Sequence, residues 1–119
     1  MSGTKKIKGF LLSIVLCLCI NPLFSYENLD TICEVIDVIF ENKSEEALSK
    51  LMAENIKNPK YQQIENYVVK LIRRQIIEAQ YDFALRATYI VLDSNIEANY
   101  DDDEAFVLYI AISNETYSY

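Results

Sequence analysis

Residues 59–80, PKYQQIENYVVKLIRRQIIEAQ, decide the fold class. At 100° per residue, Tyr61, Ile64, Val68, Leu71, Ile72 and Ala79 fall within one narrow arc, with Asn66, Lys70 and Arg73 opposite. That period belongs to an amphipathic helix about six turns long, expected over the whole stretch. Asn58 precedes it as a cap, and Pro59 takes the first helical position, where its missing N–H costs nothing. Gln75 lies in the middle of the apolar stripe. A buried amide needs a hydrogen-bond partner, so Gln75 is either satisfied inside or faces a groove. The satisfied interior is the default expectation.

The same period recurs on both sides. Upstream, Leu29, Ile32, Cys33, Ile36, Ile39 and Phe40 keep three-and-four spacing with acids between them, which predicts a helix over 30–42. Ser44, followed by Glu45 and Glu46, reads as the N-cap of a second helix over 45–56, with Ala47, Leu48, Leu51, Met52 and Ile56 on one face. Downstream, 82–94 carries a stripe of small residues, Ala84, Ala87, Thr88 and Val91, flanked by Phe83, Leu85, Ile90 and Leu92. A helix apolar nearly all round is buried between neighbours, and small residues let backbones approach closely. The last apolar run, 105–112 (AFVLYIAI), is too uniform for periodicity to decide. The acids at 101–104 suit a helix N-terminus, so a buried helix is expected rather than a strand. The expected fold is therefore all-α: a small antiparallel array of four or five amphipathic helices.

The N-terminus supplies an address. Lys5, Lys6 and Lys8 precede the apolar core 10–20 (FLLSIVLCLCI), and Asn21, Pro22 and then Leu23-Phe24-Ser25 follow it. A basic region, a short apolar core and a small residue at the last position form a secretory signal with cleavage after Ser25. The core is shorter than the roughly 20 apolar residues a bilayer span needs. Residues 26–119 are then the exported domain, periplasmic or secreted, with no membrane attachment once the leader is cut. A lipid anchor at Cys19 is the lesser alternative, because Leu18 stands where a lipoprotein signal carries a small residue.

Composition excludes more than it assigns. All 18 acidic residues lie after residue 25, while three of the 11 basic ones lie before it, so the domain carries a net charge of −10. A surface that negative repels phosphate backbones, which argues against nucleic acid as a partner. The charge is segregated: 26–56 is net −6, 57–86 is net +3, and 87–119 has seven acids and no base. After residue 25 there is no Gly, no His and no Trp, and Cys33 is alone. Phosphate-cradling loops lack their glycine, the commonest general base is absent, and no internal disulfide closes. Cys33, on an apolar stripe, is expected to pack as a small hydrophobe. All nine tyrosines fall in the exported part; Tyr67 and Tyr89 lie off the main stripes and are expected at the surface, where tyrosine suits interfaces.

Residues 67–92 resemble a tetratricopeptide repeat. Val68, Leu71 and Ile72 look like that family's first-helix positions, and Ala84, Thr88, Val91 and Leu92, after Tyr81-Asp82, look like its second-helix pattern. Ile72 stands where the family usually has Gly, and Ile96 where it has Pro. The resemblance covers about one repeat, with at most half of another in 105–112, whereas repeat families usually need three or more copies for stability. It implies stacked helix hairpins and a protein-binding surface.

A second pattern lies in 93–104, DSNIEANYDDDE. Asp93, Asn95, Glu97, Asn99, Asp101 and Glu104 occupy the six ligand phases of a 12-residue calcium loop, although Ala98 stands where the sharp turn calls for Gly. Catalysis has less to stand on. The many carboxylates sit at exposed helical phases, and neither a Ser nor the Cys has a His partner. The expectation is an exported, non-catalytic protein-interaction domain without a cofactor, binding a protein partner near Arg73, Arg74, Gln75 and Arg86. A domain of 94 residues buries a modest core, so self-association is a further expectation. Calcium binding through 93–104 is the alternative.

Overall fold

The computed structural model describes residues 26–117, so the expected leader and cleavage site lie outside the described residues. Five helices follow one another: α1 Leu29–Asn42, α2 Glu45–Glu54, α3 Tyr61–Ile77, α4 Tyr81–Ala98 and α5 Asp103–Tyr117. No strand occurs among the described residues. The fold is all-α, as the periodicity requires.

Local signals set the boundaries. Asn28 caps α1 by accepting from the Asp30 and Thr31 N–H groups at 2.8 and 3.3 Å. Ser44 caps α2 through the Ala47 N–H at 3.2 Å. The second helix stops at Glu54 because Asn55 turns inward: its side-chain amide donates to the Leu51 carbonyl at 2.8 Å and its Oδ1 accepts from Asn58 at 2.9 Å. Asn58 then closes a turn over Pro59 by accepting from the Lys60 N–H, so α3 begins two residues later than the Asn-Pro signal suggests.

Three helix ends share one device. Lys43, Ala79 and Asn99 have φ of 50°, 59° and 54°, the left-handed region. Each begins the same closing pair: Lys43 N–H to Phe40 and Ser44 N–H to Ile39, Ala79 to Ile76 and Gln80 to Gln75, Asn99 to Ile96 and Tyr100 to Asn95. This is the Schellman geometry, which glycine usually serves and which this glycine-free stretch builds from Lys, Ala and Asn. Ala79 is therefore an exposed connection residue and not part of the α3 stripe.

Packing follows the apolar faces. Ile32, Val35, Ile36 and Ile39 of α1, Leu48, Leu51 and Met52 of α2, and Ile64, Val68 and Ile72 of α3 are all buried. Phe40 meets Phe83 edge-on with ring centroids 5.2 Å apart, joining α1 to α4. Helix α4 packs against α2, α3 and α5. Ala84, Ala87, Thr88 and Val91 are fully buried there, as the small-residue stripe predicts. The chain forms two helix hairpins, α1–α2 and α3–α4, stacked so that α1 lies on α3 and α2 on α4. Glu45 at the start of α2 pairs with Arg86 near the start of α4, so these two run the same way. The start of α3 meets the end of α4, with Tyr61 against Asn95, so these two are antiparallel. Helix α5 closes against α4 and α3.

Two boundary expectations need correcting. The fourth helix runs to Ala98, not 94, which consumes half of the expected 93–104 loop. The 105–112 run is helical but not buried all round: Phe106, Val107 and Ile110 are 55%, 60% and 44% exposed. Only Ala105, Leu108 and Ile112, at three-and-four spacing, face the core.

Candidate functional site

Two arrangements stand out. The first is a groove of about 550 Å3 between α1 and α3, lined by Asp37, Phe40, Glu41, Lys43, Tyr67, Leu71, Arg74, Gln75 and Glu78. The Tyr67 hydroxyl donates to Asp37 Oδ1 at 2.6 Å and ties the two helices at mid-length. That bond, then burial and the Asp37 charge, push the Tyr67 phenol up to about 12, so it stays protonated and donating. Gln75 is half-buried, and its Oε1 is shielded from solvent without a hydrogen-bond donor. It lines the groove and is not satisfied in the interior. Next to this groove, Lys43 Nζ donates to Gln80 Oε1 at 2.8 Å. A second cleft of about 440 Å3 opens there, with Arg86 on its wall.

The four residues expected to bind a partner therefore separate. Arg74 and Gln75 share the groove, and Arg86 lines the neighbouring cleft while holding Glu45 at 3.2 Å. Arg73 turns the other way and pairs with Glu104 of α5. Both ion pairs are about half exposed and hold helices in register more than they add stability. Cys33, expected to be buried, is a free half-buried thiol on α1, raised by burial and by the Asp37 and Asp30 carboxylates.

The second arrangement is a polar knot where α3, α4 and α5 meet. Glu65 is fully buried, on the apolar arc one turn after Tyr61. Its Oε2 accepts from Asn95 Nδ2 at 2.9 Å. The Tyr61 hydroxyl donates to Asn95 Oδ1 at 2.6 Å and lies 2.8 Å from Ser94 Oγ. Tyr100 packs edge-on against Tyr61, with ring centroids 5.8 Å apart. Glu65 Oε1 and Asp102 Oδ2 are both shielded from solvent with no conventional donor. Protonated Glu65 is able to donate to the facing Asp102 carboxylate, a bond that favours its neutral form. Burial first, and then that bond, raise Glu65 from its ordinary 4.5 to about 8, against the opposing pull of the Asn95 amide. Asp102 Oδ1 meanwhile accepts from the Glu104 N–H at 3.0 Å, at the start of α5. One hydrogen-bonded chain thus runs from α3 through α4 to the N-terminus of α5. Burial also pushes Tyr61 up to about 12.

The six oxygens of the expected calcium loop are not brought together. Asp93 and Glu97 are exposed on α4, Asn95 is turned inward to Glu65 and Tyr61, and Asn99 closes the helix with left-handed backbone. Asp101 is exposed in the connection, and Glu104 pairs with Arg73. Among the described residues, no group of three or more His, Cys, Asp or Glu side chains is placed to hold a metal ion. Sequence reasoning missed Glu65 and Asp102. The signal for Glu65 was its phase, four residues after Tyr61 and three before Val68.

With these geometries the chain is a stacked helix-hairpin array. No family model, curated protein or solved structure matches it. No helix among the described residues is long and apolar enough to cross a membrane.

Proposed function

We propose that this chain is an exported, non-catalytic interaction domain whose α1–α3 groove holds a segment of another protein. The observation that carries the reading is Gln75 Oε1, a shielded acceptor in a groove without a donor of its own. An acceptor left in that state costs roughly 1–3 kcal/mol, and a bound backbone N–H removes the cost. The groove offers charges of both signs, Lys43 and Arg74 against Asp37, Glu41 and Glu78, which suits a mixed-charge peptide. The Tyr67 to Asp37 bond fixes the width between the two helices. Export rests on the 1–25 leader pattern.

The test is co-purification from the exported fraction using the wild type and an Arg74→Glu/Gln75→Ala variant. Arg74 is exposed and Gln75 only half-buried, so the variant should keep its helicity and melting temperature. A partner retained by the wild type and lost by the variant supports the reading. The same set of proteins recovered with both, or none with either, overturns it.

A further inference from the structure

A second face of the molecule points to a ligand of different chemistry. Phe106, Val107 and Ile110 of α5 lie opposite that helix's buried stripe, 55%, 60% and 44% exposed. The patch continues onto α4 through touching rings: Phe106 lies 6.4 Å from Tyr109, and Tyr109 lies 5.3 Å from Tyr89, which is 47% exposed. Phe106, Val107, Ile110 and Tyr89 leave on the order of 400 Å2 of side-chain surface uncovered. A standard interface buries about 800 Å2 per partner, a little over half of it apolar, so the patch supplies nearly all the apolar area such an interface uses.

The fold shows what shape fits. Helix α4 lies across α3 of its own hairpin and α2 of the preceding one. The strip formed by α5 and α4 is the corresponding seat one step along, and it takes a helix. Charge shows what kind. Asp93 lies one turn from both Tyr89 and Ile96 on α4, and Asp103 lies one turn before Phe106 and Val107 on α5. Asp101 extends the rim, and none of these three acids has an ion-pair partner among the described residues. Residues 87–119 contain no base to offset them. A second copy would set acid against acid, and anionic lipid would be repelled for the same reason.

We infer that the α4–α5 face docks a cationic amphipathic helix of another protein, its apolar stripe on Phe106, Ile110 and Tyr89 and its Lys or Arg rim on Asp93 and Asp103. This surface is separate from the α1–α3 groove and is tested separately. The probes are two synthetic peptides with the same leucine stripe, one rimmed with lysine and one with glutamate, each dye-labelled and titrated against residues 26–119 by fluorescence anisotropy. The lysine peptide should bind at least tenfold more tightly than the glutamate peptide, and raised salt should narrow the gap. Phe106→Ser/Ile110→Ser should weaken it at least tenfold at unchanged helicity, while Arg74→Glu/Gln75→Ala should leave it untouched. Should the serine variant fail to fold, Asp93→Lys/Asp103→Lys should reverse the peptide preference. Equal binding of the two peptides, no binding of either, or a dimer of the chain that Phe106→Ser abolishes would each overturn the inference.

Discussion

Replacing Glu65 by Gln should make the protein more stable at neutral pH and remove a pH dependence that the wild type carries. In the folded chain Glu65 holds its proton up to about pH 8, because burial and the facing Asp102 carboxyl disfavour the charge. In the unfolded chain it titrates at the ordinary value of 4.5. Between these values the native state binds more protons than the unfolded one, so stability falls as pH rises. The contribution of Glu65 is complete below about pH 4.5 and gone above about pH 8. Each pH unit in that window costs up to about 1.4 kcal/mol, or roughly 3 kcal/mol between pH 5 and pH 7. A Gln side chain keeps both bonds without a proton: its carbonyl accepts from Asn95 and its amide donates to Asp102. The assay is urea unfolding of wild type and Glu65→Gln, followed by circular dichroism from about pH 5 to pH 8. The stability difference should shift toward the variant by 2–3 kcal/mol across that range. A difference that stays constant with pH, or that shifts toward the wild type, would refute the reasoning that Glu65 keeps its proton.

Three further substitutions probe other parts of the account. Ala79→Gly should stabilise by about 0.5–1 kcal/mol and raise Tm by a few degrees, since an alanine at φ 59° carries a left-handed penalty that glycine avoids; Asn99→Gly, at φ 54°, should gain less because asparagine tolerates that region. Tyr61→Phe should cost about 1–2 kcal/mol in thermal or urea melts, because it strips the Asn95 and Ser94 side chains of their hydroxyl partner while leaving the ring against Tyr100. Arg73→Ala, which removes a half-exposed ion pair to Glu104, should cost under about 1 kcal/mol by the same measure.

How far the fold could be read from the sequence followed from where side chains find their partners. The α1, α2 and α3 stripes are local periodic facts, and Ser44 announces its helix start without help from tertiary structure. The burial of α4 was equally legible, because a stripe of Ala84, Ala87, Thr88 and Val91 has no use at a surface. The end of α4 was not. Ser94 and Asn95 read as loop residues, yet they are buried because Tyr61 and Glu65, about 30 positions earlier, supply their hydrogen bonds. A polar residue paid for by a distant partner looks the same in sequence as one that belongs in solvent. The calcium-like spacing drew its force from that misreading. Helix α5 failed differently: eight apolar residues in a row suggested burial on every side, but only the face bearing Ala105, Leu108 and Ile112 meets the core. In the groove, Gln75 was singled out by its phase alone, and the structure leaves its oxygen without a donor.

The claim that this domain works by holding another protein is tested most directly by a photoreactive amino acid placed singly at position 78, on the groove wall with Gln75 left intact, and at position 57, an exposed site before α3. Irradiation in the exported fraction should give one discrete, heavier adduct from position 78 and none from position 57. Identical adducts from both positions, or no adduct from position 78, would contradict the account.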